Sequence, residues 1–392
     1  MNMKRCAAIA VLAGSLLGGG AALAQEVVKV GLILPLTGPF TPTGRQIEAG
    51  ARLYMQQHGD TVAGKKIQLI VKDDGNVADA TRRIAQELIV NEKVSMLAGF
   101  GLTPLALATA PISAQARVPQ IVMGAATSII TERSPYIVRT GMVAPALTVG
   151  VAEWAPKNGI RKVVTLVSDY APGVDIEKAF IEQYKRAGGE VIAELRVPLA
   201  NPDFAPFLQR ARDANPDALF VFVPAGQGSI LMKQFAERGL DKSGIKLIGT
   251  GDMTDDDIVN GIGDVALGIV TSHHYSAAHP SAMNREYVAA FKKANPGMRP
   301  NFMSLGGYDG MHAIYEALKK TNGATDADAL VNAMKGLAWE SPRGPISIDP
   351  ETRDIVQNIY VRKVERVDGE LYNIEFATYP AVKDPAKAAA KK

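Results

Sequence analysis

Cysteine is nearly absent from this chain: Cys6 is the single one in 392 residues. Neither a disulfide framework nor a cysteine-based metal centre can be built from it. Aromatic residues are scarce at 6%, and charge of one sign is missing, with 43 Lys and Arg against 40 Asp and Glu. A net charge of +3 lacks the basic stripe that nucleic acid or an acidic membrane surface requires, so no nucleic-acid partner is expected. Beyond residue 24 no apolar run approaches membrane-spanning length. What remains is ordinary globular composition, 47% hydrophobic and 21% charged. At about 100–200 residues per domain the length suggests two or three domains.

Lys4 and Arg5 precede an uncharged run, residues 7–24 (AAIAVLAGSLLGGGAALA), that ends in the small-x-small pattern Ala22-Leu23-Ala24. Residues 1–24 therefore read as a cleaved secretory signal. Gly14, Ser15, Gly18, Gly19 and Gly20 dilute the run too far for a membrane anchor. Cys6 lies too close to Met1 to be a lipobox cysteine and leaves with the signal. The expected product is a soluble, exported chain without cysteine, carrying 41 basic and 40 acidic residues.

From Val27 onward, short Val/Ile/Leu runs alternate with amphipathic stretches. Strands are expected at Val28–Leu34, Ile67–Val71, Val94–Ala98, Val118–Met123, Val163–Ser168, Val191–Val197, Ala218–Val223, Lys246–Gly249 and Leu267–Ser272. Their apolar residues are continuous rather than alternating, as in parallel strands buried on both faces. Helices are expected between them, at Gly44–Gln57, Ala78–Val90, Pro104–Ala116, Ala146–Lys157, Val174–Arg186, Phe204–Ala214 and Ser229–Arg238. This is the βαβ pattern of a doubly wound α/β fold. Strand starts near 67, 94 and 119 are echoed near 191, 217 and 246, which suggests two Rossmann-like lobes. Three more helices, Ala282–Ala294, Phe302–Lys320 and Asp326–Lys335, precede Gly/Pro turns and two short strands, Ile355–Val364 and Leu371–Ala377. Residues 381–392 (AVKDPAKAAAKK) read as a flexible tail.

Two phosphate-binding patterns fail on inspection. Gly59 to Lys66 fits G-x-x-x-x-G-K but ends in Lys, lacks the metal-binding hydroxyl and follows a helix, so it reads as a helix end and turn. Gly99-Phe100-Gly101 follows a strand, but Pro104 stands where the third glycine belongs and no acidic residue ends the next strand. No cofactor is expected. His273, His274 and His279 lack a thiol or well-spaced carboxylate and read as a strand-end loop, not a metal site. Thr254-Asp255-Asp256-Asp257 reads as a capped helix start with an acidic first turn. No nucleophile elbow is present, and a non-enzyme is expected.

The informative segments follow strand C-termini, where open α/β sheets bind ligands. LPLTGPFTPTGRQIEAG, FGLTP and GAATS are rich in small residues, and the first two open helices whose N–H groups can hold an anion. Ordinary capping uses the same residues, so the three together carry more weight than any one.

With these loops, the strings GLILPLTGPF, VKDDGN, APISAQARVPQI, SDYAPG, GTGD, GYDGMHAIYEAL and GPISIDPETRD make the chain resemble the periplasmic Leu/Ile/Val-binding protein family. The likeness covers nearly the whole chain after the signal. It implies two lobes, residues 26–145 with 274–355 and 146–273 with 356–380, joined by three crossing strands and closing on a small ligand. It further implies a monomeric periplasmic receptor that delivers its ligand to an ABC permease. The ligand positions it implies are Thr43 (with Phe40 as a stand-in for the family's aromatic), Leu102, Thr103, Ala125, Ala126, Thr127, Tyr170, Ala225, Asp252, Tyr275 and Met303. Gly101 and Leu102 stand where amino-acid-binding members carry a serine, and Thr43 where they carry a large aromatic. Both a hydrophobic or branched-chain amino acid and an aromatic carboxylate therefore stay open as ligands. Asp252 in the cleft points to an ammonium group, and Asp252 turned away to an aromatic acid. A ligand sensor feeding a signalling receptor, and an exported α/β enzyme, are the alternative readings.

Overall fold

The computed structural model describes residues 26–390, so the expected signal segment 1–24 lies outside the described residues. The chain begins with β1 (Val27–Leu34), α1 (Thr41–His58), β2 (Thr61–Val62), β3 (Lys65–Asp73) and α2 (Ala78–Val90). It continues through β4 (Met96–Gly99), α3 (Thr103–Ala116), β5 (Gln120–Val122) and β6 (Ile137–Arg139). These strands form one sheet in the order β2-β3-β1-β4-β5-β6, parallel except for the short β2.

The second half repeats the plan: α4 (Val149–Lys157), β7 (Lys162–Ser168), α5 (Ala171–Arg186), β8 (Glu190–Val197), α6 (Ala205–Asp213) and β9 (Ala218–Phe222). Then come α7 (Gly228–Glu237), β10 (Lys246–Thr250), the one-turn α8 (Val259–Ile262) and β11 (Val270–His273). The closing part holds α9 (Ala282–Ala294), α10 (Phe302–Lys320), α11 (Ala327–Met334), β12 (Ala338–Ser341) and β13 (Gly344–Ile348). It ends with β14 (Ile355–Val367), β15 (Glu370–Val382) and α12 (Pro385–Ala390). The second sheet runs β12-β13-β14-β11-β10-β9-β7-β8, with β15 paired to β14. Its β7 to β11 are parallel and β14 runs antiparallel to β11.

The fold is the doubly wound, two-lobed α/β architecture expected from the sequence. Each sheet has a switch point, between β1 and β4 in the first and between β7 and β9 in the second, where successive crossovers leave to opposite sides. Loops splay apart there and leave a crevice at the strand C-termini. The chain passes from the first lobe to the second after β6, returns after β11, and passes back through β13 into β14.

Helix α10 packs tightly on α1 and the first sheet through glycines. A Cβ at Gly306 would stand 1.9 Å from the Met123 carbonyl oxygen, and one at Gly50 would stand 1.8 Å from that of Ser304. Gly307 of the GYDGM string packs in the same way, a Cβ there standing 2.1 Å from the Ile47 carbonyl oxygen.

Several expectations need correction. The lobe boundary at 355 divides a continuous ladder, because β12 and β13 hydrogen-bond into the second sheet through β14 while Trp339 Nε1 and Ser341 Oγ donate to Asp309 on α10. The two short closing strands are 13 residues each, a twisted antiparallel hairpin. Residues 381–390 are not a frayed tail: β15 runs to Val382, and α12 is tied down by Lys387, whose Nζ donates to Asp354 and Thr131 at 2.6 Å. Gly59–Lys66 forms a β2–β3 hairpin turning at Ala63 and Gly64, both with positive φ. The acidic run 255–257 is no exposed helix start. Asp255 and Asp256 are buried and accept from Asn301 and Asn373, and Asp257 accepts from the Arg299 N–H.

Candidate ligand site between the lobes

The loops at the two switch points line a narrow cleft between the two sheets. The first lobe contributes Thr43 after β1, Gly101, Leu102 and Thr103 after β4, and Gly124, Ala125 and Ala126 after β5. The second contributes Tyr170, Pro172 and Ile176 from the start of α5, Phe222, Pro224 and Ala225 at the end of β9, and Asp252 after β10. Met142 and Leu147 on the first crossing, and Met303 on α10, complete the wall.

The wall is apolar with two polar poles. At the first-lobe pole, Thr103 and Thr127 are buried and their hydroxyls lie 3.2 Å apart. Thr103 opens α3, whose start has no side-chain cap; Pro104 carries no N–H and the Leu105 N–H donates to the Leu102 carbonyl, which leaves the Thr103 N–H at the helix start. Helices α1 and α5 also begin at this space without side-chain caps. Each helix start brings a partial positive charge, so the site attracts an anion although no Lys or Arg is among its lining residues. Proline at the first or second position of all three helices fixes φ and removes a donor that the helix does not use.

At the second-lobe pole stands Asp252, 1% exposed. Its Oδ2 lies 3.5 Å from His273 Nε2 and accepts no hydrogen bond among the described residues. Burial pushes the His273 imidazole below the usual histidine range, with Asp252 opposing, so the ring is neutral at physiological pH. Burial, and then the charge of Asp252, push the Tyr170 phenol far up. The Tyr170 ring stacks on Phe222, with centroids 6.1 Å apart and planes 13° from parallel.

Most of the expected site residues meet here: Thr43, Leu102, Thr103, Ala125, Ala126, Tyr170, Ala225, Asp252 and Met303 line the space. Three do not. Thr127 stands behind Thr103. Phe40 packs with Leu102 and Leu105 in a small cluster of its own, supporting the wall from outside. Tyr275 is fully buried at the second crossing, its hydroxyl donating to Asn284 Oδ1 at 3.0 Å.

Several contributors went unread in the sequence. Met142, Leu147, Ile176 and Phe222 are ordinary apolar residues, and only the fold turns them inward. Arg139 is more telling: its guanidinium donates to the carbonyls of Ala126, Met142 and Thr127 at 2.7, 3.2 and 2.7 Å, with Nε 3.1 Å from Asp354. It anchors the loop that forms the threonine pole. Among the described residues no cluster of His, Cys, Asp and Glu is suited to a metal ion. The His273 and His274 rings lie 4.5 Å apart, tilted by 30°, while His279 pairs with Glu375.

Residues 27–370 match the family model described as periplasmic binding protein. The chain belongs to this family. Its relatives are of the Leu/Ile/Val-binding type: it is 43% identical over 388 residues to Leu/Ile/Val-binding protein homolog 6 of Brucella melitensis, covering 98% of this chain and 99% of that one. Among solved structures, an ABC-transporter solute-binding protein of Rhodopseudomonas palustris BisB5, in complex with 3,4-dihydroxybenzoic acid, is 66% identical. It superposes with a TM-score of 0.91 over 92% of this chain and 99% of that one. A second, from R. palustris HaA2 in complex with p-hydroxybenzoic acid, is 40% identical with a TM-score of 0.90, covering 93% and 100% of the two chains. The protein is thus a solute-binding protein of the ABC-transporter type. Among the described residues no helix is long and apolar enough to cross a membrane.

Proposed function

We propose that this receptor binds a small aromatic carboxylate between its lobes in the periplasm, as a monomer, and delivers it to an ABC permease of the inner membrane. The observation that carries the reading is the convergence of three uncapped helix starts, from both lobes, on an apolar space that includes Tyr170 and Phe222. The carboxylate takes the first-lobe pole, where the start of α3 and the hydroxyl of Thr103 serve as donors and Thr127 holds the Thr103 hydroxyl. The ring lies among Leu102, Met303 and Tyr170, and Tyr170 adds contacts that exist only when the lobes are closed. The aromatic acids held by the two R. palustris relatives support this reading.

A branched-chain amino acid is the second reading, favoured by one observation: Asp252 lines the space, where it suits an ammonium group. Two features weigh against it. Gly101 and Leu102 replace the serine expected of amino-acid receptors, and a buried carboxylate is served equally by a neutral donor. The choice between ammonium group and aromatic acid that the position of Asp252 was expected to make is therefore too narrow.

Calorimetric titration of protein stripped of carried-over ligand by unfolding and refolding tests the reading. Benzoates should bind with dissociation constants in or below the micromolar range, about −8 kcal/mol or better, and leucine should give no heat. Saturable binding of leucine with no response to any benzoate would reverse the assignment.

A further inference from the structure

We infer that Asp252 is the acceptor for a ring hydroxyl, so that the site selects benzoates carrying a hydrogen-bond donor opposite the carboxylate. The inference rests on the aromatic-acid reading and concerns the pole that reading leaves unassigned. Three observations carry it. First, Asp252 is buried on the wall of the space, and its Oδ2 accepts no hydrogen bond among the described residues. A buried carboxylate oxygen without a donor is unfavourable, and a ligand that supplies one gains what the empty protein forgoes.

Second, the protein's own groups do not fill that role. The nearest of them, His273 Nε2, stands at 3.5 Å, the outer limit of a hydrogen bond. Two of the Arg362 guanidinium nitrogens are engaged elsewhere: Nη1 donates to the Tyr275 carbonyl and Nη2 to Thr271 Oγ1 at 3.2 Å. Third, the surroundings suit a neutral donor better than a cation. Arg362 is fully buried and close enough to the loop that a Cβ on Gly251 would fall 1.7 Å from its Nη2. Its positive charge lies in the fields of Asp256, Glu375, Asp252 and Asp255, and an ammonium group beside Asp252 would face this second cation. A phenol hydroxyl donates one hydrogen bond to a carboxylate without importing charge and extends from the ring edge opposite the carboxylate.

The test compares benzoate, 4-fluorobenzoate, 4-aminobenzoate and 4-hydroxybenzoate in calorimetric titrations of the wild-type protein. The fluoro compound controls for size without donating. Loss of one hydrogen bond to a charged acceptor predicts that benzoate and 4-fluorobenzoate bind about ten- to hundredfold more weakly than 4-hydroxybenzoate, with the amine between. Asp252→Asn should compress that preference to within about threefold. The wild-type series stands by itself if the variant does not fold. Equal affinity for the fluoro and hydroxy compounds in wild-type protein would overturn the inference and leave the aromatic-acid reading intact. Absence of binding by the whole series would overturn both.

Discussion

Thr127 illustrates how a residue can matter without touching the wall. Its hydroxyl pairs with that of Thr103, and the pair sits at the start of α3. Replacing Thr127 with valine keeps shape and removes that partner, so affinity for 4-hydroxybenzoate should fall by about 1–3 kcal/mol with little loss of stability. Calorimetry reads this directly, and unchanged affinity would remove the threonine pair from the carboxylate's shell. Asp74 gives a residue-scale prediction of another kind. Burial, opposed by the Asn76 N–H and aided by Asp73, raises its carboxyl from 3.8 to about 6. The folded protein therefore keeps a proton that the unfolded chain releases near pH 4. This group's contribution to stability falls as pH rises from about 4 to 6, by on the order of 1–3 kcal/mol in all. Asp74→Asn should flatten that part of the stability profile in urea titrations at successive pH values. A variant with the wild-type slope would contradict the assignment.

At the scale of elements, the close approach of α10 to α1 and the first sheet rests on glycine. Gly306→Ala places a methyl group into the Met123 carbonyl, where neither backbone segment has room to yield. We expect a loss of about 1–3 kcal/mol or more, read as a lower urea midpoint at unchanged slope. A midpoint equal to wild type would mean that α10 can shift freely. The helices and parallel strands themselves were legible in the sequence. Continuous apolar runs such as Val163–Ser168 and amphipathic stretches such as Ala78–Val90 fall within a residue or so of the observed elements. The β12–β13 hairpin and β6 were not, because AWESPRGPISI carries Pro345 at a strand position and β6 is a three-residue edge strand. Helix α12 escaped notice for a different reason. An Ala/Lys-rich terminus has no apolar face to reveal it, and Lys387 earns its place through a buried carboxylate, Asp354, far away in sequence.

For the whole molecule, the site is a product of topology. Nine of the twelve expected site residues line one space, because the loops that hold them follow parallel strands at two facing switch points. The loop compositions and the family resemblance made those positions visible beforehand. Arg139, Ile176 and Phe222 stayed hidden, since a buried arginine and inward apolar side chains look ordinary until the lobes meet. Two lobes joined by three crossings should close on the acid that both touch. Saturating 4-hydroxybenzoate should shrink the radius of gyration in small-angle scattering and, at a hundred times its dissociation constant, stabilise the fold by about 2.7 kcal/mol. Ligand-independent scattering would argue that the lobes do not move.

The most direct test is a crystal structure of the refolded, ligand-stripped protein with 4-hydroxybenzoate. The account predicts the ring between Tyr170 and Met303, its carboxylate at Thr103 and its hydroxyl toward Asp252. An acid bound outside the space between the lobes, or with its carboxylate against Asp252, would contradict it.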